Sequence, residues 1–287
     1  MSIIKVNDLT YCYGRGTPFE KVALDKVSFN IEKGEFVAII GHTGSGKSTL
    51  VSHLNGLITP ESGSVYLDGE DIFAKGYDLR KVRFKVGLVF QYPEYQLFEE
   101  TVFSDIAYGP KNMGLSQEEI KERVISAAKA LEIKSSLLKK SPFELSGGQK
   151  RRVAIAGVIA MHPEVLVLDE PAAGLDPAGR ERVMRLIDDY RKNTGSTVII
   201  VSHSMETAAK YADRVIVLNE GKLFFEGGVH ELFRKTQELE EIGLNVPPIT
   251  RIFHKLIAEG YDLPDNIYTA QDAAECLLSR CGKGGRA

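Results

Sequence analysis

The stretch Gly41-His42-Thr43-Gly44-Ser45-Gly46-Lys47-Ser48-Thr49 constrains this chain more than any other. It follows the apolar run Phe36-Val37-Ala38-Ile39-Ile40 and precedes a helix-like stretch from Thr49 to Leu57. A buried strand, a glycine loop and a helix, in that order, predict a backbone that curls its N–H groups around phosphate oxygens. The start of the helix adds its partial positive charge. Gly41, Thr43, Gly44, Ser45, Gly46, Lys47, Ser48 and Thr49 are therefore expected to hold the phosphates of a nucleoside triphosphate. Lys47 would reach the outer phosphates, and the Ser48 hydroxyl would join the shell of a magnesium ion.

At 287 residues the chain is longer than one ordinary domain, which favours one large domain plus an appendage. The charge of −3 gives no electrostatic case for nucleic acid. The longest apolar runs, such as Val165 to Leu168 and Val198 to Val201, have the length of strands and not of membrane spans. Met1-Ser2-Ile3-Ile4-Lys5-Val6 lacks the apolar core of a signal peptide. Cys12, Cys276 and Cys281 are scattered, as in a reducing compartment; Cys276 and Cys281 lack a nearby histidine and read as free thiols, not a metal pair. A cytoplasmic protein is expected.

Along the chain, residues 3–9 and 22–31 read as strands, joined by a loop that carries Tyr11 and Tyr13. Ser64–Leu67 reads as a strand into a turn, and this early segment predicts an antiparallel sheet beside the nucleotide core. Val86–Phe90 is a buried strand ending at Gln91. From about 101 to 161 the pattern is helical. Ser116 with Glu119 forms a capping box, and a second helix runs from near Gln149 to Met161. Beyond it, strands 165–168, 197–201 and 214–218 alternate with helices 177–192 and 204–211, which predicts a largely parallel sheet covered on both faces. Near 236 the pattern changes to short helical pieces, Ile249–Ala258 and Thr269–Leu278, and the Gly282-Lys283-Gly284-Gly285-Arg286 tail is expected to be disordered.

Val165-Leu166-Val167-Leu168-Asp169-Glu170 places two carboxylates at the C-terminal end of a buried strand, where open α/β sheets bind ligands. Asp169 is placed to hold magnesium, and Glu170 to act as general base on an attacking water. Leu145-Ser146-Gly147-Gly148-Gln149 again sets small residues before a helix start. Here the chain resembles the ATP-binding cassette (ABC) ATPases: Leu145–Gln149 is similar to their signature motif. Gln91 resembles the Q-loop glutamine, which also ligates magnesium in that family. Asp176 in Ala173-Gly174-Leu175-Asp176 resembles the D-loop, and His203 the switch histidine. Tyr13, preferred over Tyr11, matches the residue that stacks on adenine. The resemblance covers roughly residues 3–235. It implies a P-loop NTPase fold with a RecA-like core, an antiparallel β subdomain and a helical subdomain at about 98–161. Residues 1–236 would form the cassette and 237–287 a helical appendage that takes part in dimerisation. It also implies ATP and Mg2+ as ligands. Glu170, His203 and Gln91 would serve hydrolysis, and Leu145, Ser146, Gly147, Gly148 and Gln149 would act in trans on a partner's nucleotide.

A narrower resemblance joins Gln91-Tyr92-Pro93-Glu94-Tyr95-Gln96-Leu97-Phe98 to the ATPases of energy-coupling factor transporters, in the form of the second of their two ATPase types. It implies a sister ATPase, a membrane-spanning coupling protein and exchangeable substrate-binding membrane proteins as partners, with vitamins or transition-metal ions as cargo. The expected place is the cytoplasmic face of the membrane, as a peripheral subunit. Tyr92, Tyr95, Leu97 and Phe98 suit either a buried aromatic core or a docking groove, and their place after Gln91 favours docking. The competing function is a soluble ATPase with a regulatory or DNA-linked role.

Overall fold

The structure is a computed structural model and describes residues 2–281. The Gly282–Arg286 tail lies outside the described residues. The chain opens with β1 (Ser2–Tyr13), β2 (Lys21–Glu32), β3 (Phe36–Ile40), α1 (Lys47–Leu54), β4 (Ser62–Leu67) and β5 (Glu70–Asp71). A second stretch holds α2 (Leu79–Lys85), β6 (Val86–Val89), α3 (Val102–Asn112), α4 (Gln117–Ala130), α5 (Gly147–Ile159) and β7 (Val165–Asp169). Then come α6 (Pro177–Thr194), β8 (Thr197–Val201), α7 (Met205–Tyr211), β9 (Arg214–Asn219) and β10 (Lys222–Gly227). The chain closes with α8 (Val229–Arg234), α9 (Thr236–Glu241), α10 (Pro248–Ala258) and α11 (Ala270–Cys281).

The strands form two sheets. A four-stranded antiparallel sheet has the order β2-β1-β4-β5, and a six-stranded sheet has the order β10-β9-β3-β8-β7-β6. In the larger sheet β10 alone runs antiparallel. Every residue of β3, β7 and β8 is buried. Side chains alternate across a strand, so this sheet divides two cores. Phe36, Ala38, Ile40, Leu166, Leu168, Val198 and Ile200 face the helical side with α3 to α6. Val37, Ile39, Val165, Val167, Ile199 and Val201 face α1 and the antiparallel sheet. The parallel strands β3, β8, β7 and β6 lie side by side, which brings Gly41, Ser202, Glu170 and Gln91 to one edge from distant positions in the chain.

Several local expectations change. Tyr11 and Tyr13 do not lie in a loop: β1 runs on through Tyr13, with Tyr11 paired to Leu24 and Tyr13 to Lys21. Register shifts interrupt the pairing of these two strands, and a period-two reading loses phase at such bulges. Helix α2 was not expected, because only Val82 is buried among its basic residues. The Ser116–Glu119 capping box is formed: the Glu119 carboxylate accepts from the Ser116 N–H at 2.9 Å. Helices α8 and α9 were also not expected. They carry Leu232, Phe233 and Leu239 into the main core, which continues through Leu244 and Val246. A separate small cluster joins Phe253 of α10, Ala273 of α11 and Ile267 of the segment between them. Tyr268 still packs on the main core, its ring 4.9 Å from that of Phe233. Among the described residues, no helix is long and apolar enough to cross a membrane.

Candidate functional site

The glycine loop leaves β3 and enters α1 with no slack. A Cβ on Gly41 would meet Ser45 Oγ at 2.3 Å and the Leu218 carbonyl at 2.4 Å. Gly46 has φ +104°, and a Cβ there would sit 2.4 Å from the Ala23 carbonyl. Ser45 is fully buried beneath the loop, and its hydroxyl lacks a hydrogen-bond partner. Lys47 Nζ donates to the carbonyls of Gly41 and His42, both at 2.8 Å, so the ammonium is held across the mouth of the loop. Burial lowers the Lys47 pKa below the usual lysine range, while the Glu170 and Asp169 carboxylates oppose that shift. The Ser48 hydroxyl donates to Asp169 Oδ2 at 2.9 Å. Burial raises the Asp169 carboxyl above its ordinary value, against the pull of that hydrogen bond. A hydroxyl and a carboxylate side by side are hard oxygen donors of the kind that suit magnesium.

Tyr13 stands over this loop. It is 43% exposed, and its hydroxyl lies 3.2 Å from Thr49 Oγ1. Tyr13, Lys21, Ala23, Gly44, Gly46 and Lys47 line one cavity of about 210 Å³. Tyr11 lies beneath, edge-on to Tyr13 at 4.9 Å and to the buried ring of His53 at 5.0 Å. Of the two rings Tyr13 is the more exposed, and Tyr11 packs edge-on against it.

At the end of β7, Glu170 adopts φ +51°, a left-handed conformation uncommon outside glycine. His203 Nδ1 lies 2.7 Å from Glu170 Oε1, within hydrogen-bond distance. Gln91, Glu170 and His203 line a shared cavity of about 190 Å³ with Ser202, Arg180 and the Pro171–Gly174 turn. Gln91 thus sits with Glu170 and His203, and no hydrogen bond joins it to Ser48 or Asp169 among the described residues.

The remaining motif residues fall elsewhere on the surface. Leu145 is buried, whereas Ser146 and Gly147 are exposed at the start of α5, with the Gln149 side chain accepting from the Ser146 N–H at 3.0 Å. Asp176 caps α6, accepting from the Gly179 N–H at 2.6 Å. Tyr95 is 84% exposed, Phe98 59% and Tyr92 42%, while Leu97 is 8% exposed and belongs to the main core. The buried alternative thus holds for Leu97, and the other three rings are exposed. Phe98 packs edge-on to Tyr108 at 4.9 Å, beside a groove of about 290 Å³ floored by Leu97 and Val153. Sequence reasoning missed Lys21 and Ala23 under Tyr13, and Arg151 and Glu94 behind the hydrolytic turn. Arg151 follows the Leu145–Gln149 stretch directly, and only its full burial sets it apart from its half-buried basic neighbours Lys150 and Arg152.

Comparison with known proteins decides the family. The ABC transporter family matches residues 24–173. The chain is 54% identical over 276 residues to the energy-coupling factor transporter ATP-binding protein EcfA2 of Clostridium perfringens, covering 96% of this chain and 97% of that one. It is 49% identical to the EcfA2 of Listeria monocytogenes, over 98% and 99% of the two chains. The chain belongs to the ABC transporter ATPases. Within them it belongs with the ATP-binding proteins of energy-coupling factor transporters, and its activity is that of a transport ATPase. Among solved structures, cbiO1 of Clostridium perfringens, part of the ABC transporter complex cbiONQ, matches with TM-score 0.75 and 40% identity over 89% of this chain and 98% of that one. The ATP-binding cassette MJ0796, a dimer bound to ADP and Pi, matches with TM-score 0.70 and 32% identity over 79% and 98%. The α/β fold expected from the P-loop, with its antiparallel sheet and helical parts, is the fold of these cassettes.

Proposed function

We propose that this chain binds ATP between Tyr13 and the Gly41–Thr49 loop and hydrolyses it with Glu170 as general base. The 2.7 Å pairing of His203 with Glu170, at the strand edge next to Lys47, Ser48 and Asp169, carries this reading. Glu170 takes the proton of a water attacking the γ-phosphate, and His203 holds the carboxylate in place and meets the phosphate. Lys47 exchanges its two carbonyl partners for phosphate oxygens. Ser48 and Asp169, with Gln91 brought in when the site closes, would hold Mg2+, which neutralises charge on the phosphates.

Catalysis is shared between subunits. Ser146, Gly147, Gly148 and Gln149 form a helix start, exposed at Ser146 and Gly147, which caps the γ-phosphate held by a sister ATPase. ATP closes the pair by binding the closed form better, and hydrolysis removes that preference. Membrane partners dock at Tyr92, Tyr95 and Phe98, and the subunit sits as a peripheral protein on the cytoplasmic face. It powers uptake of vitamins or transition-metal ions through a coupling protein and exchangeable substrate-binding proteins.

Glu170→Gln tests the reaction: ATP binding is expected to persist while hydrolysis falls about 10²–10⁴-fold. Unchanged turnover would remove Glu170 from its role. The docking role fails if Tyr95→Ala with Phe98→Ala leaves both assembly and uptake intact.

A further inference from the structure

Arg151 is a buried charge that the nucleotide chemistry leaves without a role. It lies one turn into α5, behind Ser146–Gln149, and is 2% exposed. Nε donates to Glu94 Oε2 at 2.9 Å and Nη2 to Glu94 Oε1, a two-pronged pairing of guanidinium and carboxylate. Nη1 turns the other way and donates to the main-chain carbonyls of Ala173 and Pro171. Glu94 stands in the 3-10 turn Pro93–Gln96, between the exposed rings of Tyr92 and Tyr95. Pro171 and Ala173 follow Glu170 directly, and the Ala173 N–H donates to the Glu170 carbonyl at 3.1 Å. One guanidinium therefore joins the signature helix, the segment after Gln91 and the turn that sets the left-handed backbone of Glu170.

A buried ion pair is poor ground for stability, because apolar residues of similar volume serve a core as well or better. What they cannot supply is a planar fork with fixed directions to separate segments. We propose that Arg151 and Glu94 are positioning residues that make the aromatic segment, the Ser146–Gln149 loop and Glu170 move as one body. A displacement at Tyr92 and Tyr95 then reaches the general base of this chain and the loop that this chain offers to its partner's nucleotide. The inference rests on the reading of that aromatic segment as a membrane-partner dock.

The test uses the complete transporter reconstituted in vesicles, with ATP hydrolysis and substrate uptake measured together. Arg151→Met alone leaves the half-buried Glu94 carboxylate without its partner and lowers the melting temperature. Arg151→Met with Glu94→Met removes both charges and brings the melting temperature back. In that double variant kcat is expected to stay down about 10–100-fold, as when a reacting group is misplaced by a fraction of an ångström. The KM for ATP should move less than about twofold, since phosphate contacts are untouched. Uptake per ATP hydrolysed should also fall. Arg151→Lys keeps the charge in place but lacks the fork, and it should show the same loss of kcat and of coupling. Wild-type kcat and wild-type uptake per ATP in either variant, at wild-type melting temperature, would overturn the proposal. Tyr95→Ala with Phe98→Ala in the same vesicles tests the docking reading separately, because the kcat of Arg151→Lys reads the tie to Glu170 whether or not a partner docks there.

Discussion

Two loops of this protein share one design, small residues ahead of a helix start, and use their glycines in opposite ways. In Gly41–Thr49 the glycines serve the fold: Gly41 and Gly46 have carbonyls and a buried serine within 2.4 Å of where a Cβ would sit. In Ser146–Gln149 a Cβ on Gly147 or Gly148 would meet nothing within 4 Å. Open space inside a folded chain gives no reason for glycine, so the room at Gly147 and Gly148 is room for something outside it. One loop is closed by this chain's own atoms; under the proposed function the other is half of a contact.

The sharpest way to break the comparison is a methyl group on each loop. Gly46→Ala must place an L side chain at φ +104° against the Ala23 carbonyl, and a loss of about 3 kcal/mol or more of stability is expected. Thermal melting of the purified chain reads it, and an unchanged melting temperature would show that the loop has more slack than its contacts indicate. Gly147→Ala should leave melting and ATP affinity of the isolated chain unchanged. In the assembled transporter it should slow turnover by about 10–100-fold, the cost of one lost or misplaced donor at a transition state. If the isolated chain melted lower instead, Gly147 would belong with the internal glycines.

Asp176 asks to which side the D-loop belongs. As the cap of α6 it should contribute about 1 kcal/mol, lost in Asp176→Ala and kept in Asp176→Asn, because both Asp and Asn cap well. Equal melting of the Asn variant and the wild type, with slowed hydrolysis in the assembled transporter, would place the charge in the shared site. Normal hydrolysis in the Asn variant would leave Asp176 as a cap alone.

The same contrast explains what could be read from the sequence. Gly41, Asp169 and Glu170 were legible because each stands at the end of a run of four or five apolar residues that reads as a buried strand, and Lys47 and Ser48 because they open the helix after the glycine loop. The strand through Tyr13 was not legible, since bulges in β1 break the alternation that marks a strand. Arg151 was not legible either: in Lys150-Arg151-Arg152 three like charges stand in a row, and only helical phase decides which one turns inward. Leu97 was read with its aromatic neighbours, yet the turn at Pro93–Gln96 points it into the core and leaves Tyr95 and Phe98 outside.

The smallest expected effect lies beneath the Gly41–Thr49 loop, where His53 packs on Tyr11 and Tyr11 on Tyr13. His53 of α1 is fully buried, with Nδ1 donating to the Thr49 carbonyl at 2.7 Å and Nε2 without a partner. Burial lowers its pKa below the ordinary 6.5, against the opposing effect of the Thr49 bond. The unfolded chain therefore binds a proton here more readily than the folded one, and acid favours unfolding. The stabilisation is present above about pH 6.5 and is lost as the pH falls through the depressed folded value. His53→Phe keeps an aromatic edge for Tyr11 but cannot titrate, so its stability should fall less between pH 7 and pH 5 than that of the wild type, in denaturant melts at each pH. Parallel pH profiles for the two proteins would mean that His53 does not titrate between folded and unfolded states. A flatter profile joined to a lower ATP affinity at every pH would show that the His53–Tyr11–Tyr13 stack also sets the angle of the adenine platform, so that the complete half of the composite site depends on a buried ring that never touches nucleotide.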